Sequence, residues 1–89
     1  MTLGPVGMEM ERKLKEKFSP VELSLIDESH HHAGHGGTHE EGESHYAIKI
    51  VADAFAGQSL VKCHRMINEV LAEELKGRVH ALRISAKAP

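Results

Sequence analysis

Apolar positions along this 89-residue chain recur with two different spacings, and the spacing changes several times. From Glu9 to Phe18, the residues Met10, Leu14 and Phe18 fall every fourth position among Glu, Arg and Lys, which predicts a short helix with one narrow apolar stripe. Ser19-Pro20 ends it, because the residue before a proline avoids the helical region. Val21 to Asp27 alternates, with Val21, Leu23 and Leu25 facing one way, and reads as a strand. Tyr46 to Ala52 reads as a second strand, almost continuously apolar, with Lys49 as its one charged break. A second helix is predicted over Leu60 to Lys76, where Leu60, Ile67, Leu71 and Leu75 share a face with Val70 at its edge. Ser59 is placed to cap its start and Gly77 to close its end. Val79 to Ser85 alternates again, as a third strand with His80, Leu82 and Ile84 on one side.

The order is thus helix, strand, strand, helix, strand, without internal repeat. Residues 1–7, with Gly4-Pro5 and Gly7, have no period and are expected as a disordered leader; residues 8–89 form a single domain. Within it, residues 29–43 hold four glycines and five histidines and almost nothing that could enter a core, so they form a long loop of the kind that is usually functional or disordered. The first two strands can pair antiparallel across this loop. The connection from the second strand to the third contains a full helix, which calls for a right-handed crossover between parallel neighbours. A parallel third strand must begin at the edge where the second begins, so His80 is expected beside the histidine-rich loop.

Composition narrows the chemistry. A content of 40% hydrophobic and 27% charged residues is that of a folded soluble domain. No apolar run is long enough to cross a bilayer and no secretory signal is visible, so the cytoplasm is expected. Cys63 is the single cysteine, which rules out an intramolecular disulfide. The net charge of −2 divides into −5 over residues 1–44 and +3 over residues 45–89, so nucleic-acid binding would need a local patch in the second half. The histidines are the main chemical signal: six of eight (His30, His31, His32, His35, His39 and His45) fall within sixteen positions. Standing alone, such a loop reads as a solvated segment that takes up divalent metals opportunistically. There is no phosphate-cradling glycine loop, no His-Glu-x-x-His and no Cys-x-x-Cys, and an enzyme is not expected.

From Phe55 the chain reads Phe-Ala-Gly-Gln-Ser-Leu-Val-Lys-Cys-His-Arg, then Leu71-Ala-Glu-Glu-Leu75 and Val79-His80-Ala81-Leu82. Upstream stand Asp27-Glu28-Ser29 with His32, and Gly42-Glu43-Ser44-His45-Tyr46. In this order the blocks resemble the BolA family across about residues 8 to 86. The resemblance implies an α/β domain (an α+β sandwich) similar to the type II KH fold, with a three-stranded mixed sheet and helices on one face. It also implies a monothiol glutaredoxin as heterodimer partner and a bridging [2Fe–2S] cluster held only in that complex, with glutathione. His80 would be the strand ligand and His32 the first choice for the loop ligand, with His35 second. The free chain is expected as a monomer or weak homodimer. Cys63 stands where the family usually has a basic residue, which weakens a nucleic-acid role.

The alternative implied by the KH-like topology is a nucleic-acid-binding transcriptional regulator, using Lys62, Arg65, Lys76 and Arg78 for nucleic-acid or partner contact. Gly57-Gln58-Ser59-Leu60 does not supply the Gly-x-x-Gly backbone clamp of a KH domain. His64, Gly57 and Phe55 are assigned structural roles, His64 as the donor of a bond to a strand carbonyl. His80 itself, sharing a strand face with Leu82 and Ile84, could be a satisfied core histidine.

Overall fold

A computed structural model describes residues 3–29 and 42–89. The elements are α1 (Pro5–Phe18), β1 (Glu22–Asp27), β2 (His45–Val51), a 3₁₀ turn (Asp53–Phe55), α2 (Leu60–Val70), α3 (Ala72–Lys76) and β3 (Ala81–Lys87). The sheet order is β1-β2-β3, with β1 antiparallel to β2 and β3 parallel to it, as expected. Tyr46, Ile48 and Ile50 of β2 are buried together with Met10, Leu14 and Phe18 of α1 and Cys63 and Ile67 of α2, so one face of the sheet carries the core. Glu22, Ser24, Lys49, Arg83 and Ser85 occupy the alternate positions of the strands, where Lys49 pairs with Glu22 at 3.3 Å and Arg83 with Glu28 at 2.5 Å.

Several boundaries differ from those the sequence predicts. The expected leader is helical from Pro5 onward, because proline at the first helical position gives up only an N–H that would be unpaired there anyway. Gly7 is buried, and a Cβ on it would lie 2.6 Å from the Tyr46 hydroxyl, so α1 depends on glycine to approach β2 this closely. The second predicted helix is broken at Leu71 (φ −101°, ψ 20°) into α2 and α3. Lys13 of α1 bonds Glu74 of α3 at 2.8 and 3.1 Å, and this hydrogen bond raises the ammonium's pKa.

The buried face of α2 is also shifted. Cys63 is 2% exposed whereas Leu60 is 70% exposed. The stripe keeps a four-residue step through Cys63, Ile67 and Leu71, and therefore starts one turn later than the apolar run. Leu60, the first helical residue after the Ser59 cap, lies before that stripe begins; Ser59 accepts the Lys62 N–H at 3.1 Å. β3 likewise begins at Ala81 rather than Val79. Val79 is fully buried, and its N–H bonds the Glu74 carbonyl at 3.0 Å instead of joining the sheet.

Candidate functional site

The C-terminal end of β1 and the N-terminal ends of β2 and β3 meet at one edge of the sheet, and a polar network closes this rim. Asp27 organises it: Oδ1 accepts from the Ser29 N–H at 2.9 Å and the Ser29 hydroxyl at 2.5 Å, while Oδ2 accepts from the Glu43 N–H at 2.9 Å. The chain re-enters through two left-handed residues, Gly42 (φ 71°) and Glu43 (φ 63°). At Gly42 glycine is favoured twice over, since a Cβ there would lie 3.0 Å from Asp27 Oδ2 and from Ser29 Oγ. Arg78 locks the same point, donating from Nε and Nη2 to the Gly42 carbonyl at 3.1 and 2.9 Å.

Glu43 then reaches across the fold. Its buried carboxylate accepts from the Gly7 N–H at 2.9 Å and from the Tyr46 hydroxyl at 3.0 Å. Helix α1 has no side-chain cap of its own at Gly4, so this carboxylate, 36 positions away, satisfies one of the first-turn N–H groups and meets the positive end of the helix dipole. Tyr46 is 1% exposed, and its phenol is pushed well above its ordinary value, first by burial and then by its bond to Glu43. The neutral phenol is the stabilising form. Its contribution is complete below the unfolded-state value of about 10 and is lost as pH rises through the folded-state value. Unfolding measured from about pH 8 to about pH 11 should show Tyr46→Phe less sensitive to alkali than the parent chain, and an equally steep decline in both would contradict this role for the phenol.

His80 lies at this rim, exposed, immediately before β3. Its N–H and that of Ala81 both donate to the Ser44 carbonyl, at 2.7 and 3.2 Å. Both anchors of the histidine-rich loop, Ser29 and Gly42, thus lie on the edge at which His80 enters. The candidate loop ligands His32 and His35 lie outside the described residues. The sequence reading did not single out His45 as the neighbour of His80. Its ring centroid is 6.4 Å from that of His80, and its Nδ1 lies 2.8 Å from the Ser44 hydroxyl. The parallel register, His45 opposite Ala81, was the signal that could have found it.

Of the basic residues, Lys62, Arg65 and Lys76 are exposed, while Arg78 is half-buried and holds Gly42. His64 is half-buried, and its ring makes no hydrogen bond to a strand carbonyl among the described residues. Gly57 adopts φ 73°, the left-handed turn that leads into α2, and Phe55 is buried with its ring 5.0 Å from that of Phe18. Cys63 faces the core, where a thiol packs as a small apolar group. No helix among the described residues is long and apolar enough to cross a membrane.

The family model described as BolA-like protein matches residues 14–89. The SufE-like protein 1 of Arabidopsis thaliana, chloroplastic/mitochondrial by its name where the present sequence suggested cytoplasm, is 47% identical over 93 residues, which cover 100% of this chain and 25% of that protein. The chain therefore spans a quarter of that relative's length. The DNA-binding transcriptional regulator BolA of Escherichia coli (strain K12) is 43% identical over 75 residues, 84% of this chain and 68% of the relative. Among solved structures, the BolA domain of SufE1 from Arabidopsis thaliana superposes with a TM-score of 0.89 at 49% identity, over 99% of this chain and 96% of that one. By matched span, fold and sequence identity, the chain is a member of the BolA family.

Proposed function

We propose that the chain is a non-enzymatic adaptor that binds a monothiol glutaredoxin and helps hold a [2Fe–2S] cluster at the rim, with His80 and one loop histidine, His32 before His35, as its ligands. The supporting observation is the convergence at one edge of an exposed imidazole, that of His80, and the two anchored ends of the histidine-rich loop. Imidazole is a donor that iron accepts, and histidine in place of thiolate gives such a cluster a higher reduction potential. The chain's own contribution is to hold the backbone of His80 against Ser44 and to keep the loop ends at the same edge. Since a protonated imidazole cannot ligate, the assembly should weaken in mild acid.

Mixing the chain with cluster-loaded glutaredoxin tests this directly. The visible absorption and circular dichroism are expected to change on mixing, the two proteins to co-elute, and His80→Ala to alter the spectrum where His39→Ala does not. Unchanged spectra without co-elution would overturn the reading. A nucleic-acid role has one supporting observation, the exposed Lys62 and Arg65 on α2 in a relative of a protein named as a DNA-binding regulator. It predicts DNA binding that weakens steeply with salt. Arg78, bonded to Gly42, is committed to the rim in that case as well.

A further inference from the structure

His45 is the histidine that the fold itself brings to His80. Their ring centroids lie 6.4 Å apart with the planes inclined by 28°. With metal–nitrogen bonds of about 2.0–2.1 Å, two imidazoles sharing one ion hold their ring centres roughly 5–6 Å apart. The observed gap is roughly 0.4–1.4 Å wider, within reach of a side-chain rotation by the exposed His80.

Both residues are held by Ser44, which is itself 1% exposed. Its hydroxyl lies 2.8 Å from His45 Nδ1, and its carbonyl receives the backbone N–H of His80 at 2.7 Å. When His45 Nδ1–H donates to that hydroxyl, Nε2 carries the lone pair that a metal needs; such a partner on the far nitrogen is the usual support of a ligating histidine. His45 belongs to a strand and is positioned by the sheet register.

We propose that His45 and His80 form a two-imidazole site for a borderline divalent cation, of the class of Zn²⁺, Ni²⁺ or Cu²⁺. Among the described residues no group of three or more His, Cys, Asp or Glu side chains is placed to hold a metal. The remaining coordination positions are open to water, to a donor from residues 30–41 or to one that a second molecule brings. The site goes beyond the cluster reading and needs neither glutaredoxin nor cluster, so the two ideas fail in separate experiments.

Zinc is the probe, added to the full chain in which His30, His31, His32, His35 and His39 are all replaced by alanine. Calorimetry is expected to show one ion bound per chain. Adding His45→Ala or His80→Ala should weaken binding by at least about tenfold, Ser44→Ala should weaken it by roughly 10- to 100-fold, and His64→Ala should leave it unchanged. Far-UV circular dichroism identifies any variant that fails to fold. Independently, in the unsubstituted chain, the ring resonances of His45 and His80 should shift together on adding zinc. Loss of all zinc binding with the loop histidines, binding indifferent to His45→Ala, or shifts at only one of the two rings would overturn the proposal.

Discussion

Asp27→Ala is expected to lower the free energy of unfolding by roughly 2–4 kcal/mol, because one carboxylate accepts three hydrogen bonds that nothing else in the network can take over. Ser29 and Glu43, which supply the donors, are both buried, so their N–H groups would lose their partner without gaining full access to water. In a domain of this size that amounts to a fall in melting temperature of roughly 8–30 °C, measurable by thermal or urea unfolding. Asp27→Asn should recover only part of it. An amide can offer its oxygen to Ser29, but its NH₂ group then faces the Glu43 N–H, donor against donor. A loss below about 1 kcal/mol for Asp27→Ala would mean that the rim is held elsewhere. Because the same bonds hold both ends of the histidine-rich loop, the variant should also bind cluster-loaded glutaredoxin more weakly.

The second large effect is in the core. Ile67 is fully buried in the cluster that joins α2 to the sheet, and Ile67→Ala is expected to cost about 2–5 kcal/mol through lost burial and the cavity left behind. Leu60→Ala, seven residues earlier on the same helix, should change stability by no more than about 0.5 kcal/mol, because Leu60 is largely in water. Urea unfolding of the pair distinguishes the observed helix face from the one suggested by apolar spacing. Equal losses at the two positions would place Leu60 in the core and refute the observed orientation of α2.

The parts of the fold visible in the sequence are those set by side-chain periodicity. Alternation marks β1 and β3, the four-residue step marks α1, and the helix between β2 and β3 requires those strands to be parallel. That same requirement puts His80 at the loop's edge of the sheet, which is where it is found. Periodicity does not show which apolar residues reach the core when a run is longer than the surface it packs on, hence the error over Leu60 and the missed break at Leu71. Nor does it show Glu43 capping α1, because nothing local in a loop-end glutamate signals a bond to an N–H 36 residues earlier. Arg78 reads from sequence as a surface cation for a partner. In the fold it also donates to the Gly42 carbonyl, a contact between residues 36 positions apart that nothing local in the sequence signals.

Among the described residues, bonds from Asp27 to Ser29 and Glu43, from Glu43 to Gly7 and Tyr46, and from Arg78 to Gly42 moor the chain on either side of residues 30–41. Changing the length of a connection between two such moorings costs little, because loop-closure entropy grows by only about 0.6 kcal/mol for each doubling of length. A scaffold arranged in this way lets insertions, deletions and changes of ligand type accumulate in that stretch while the architecture beneath stays intact.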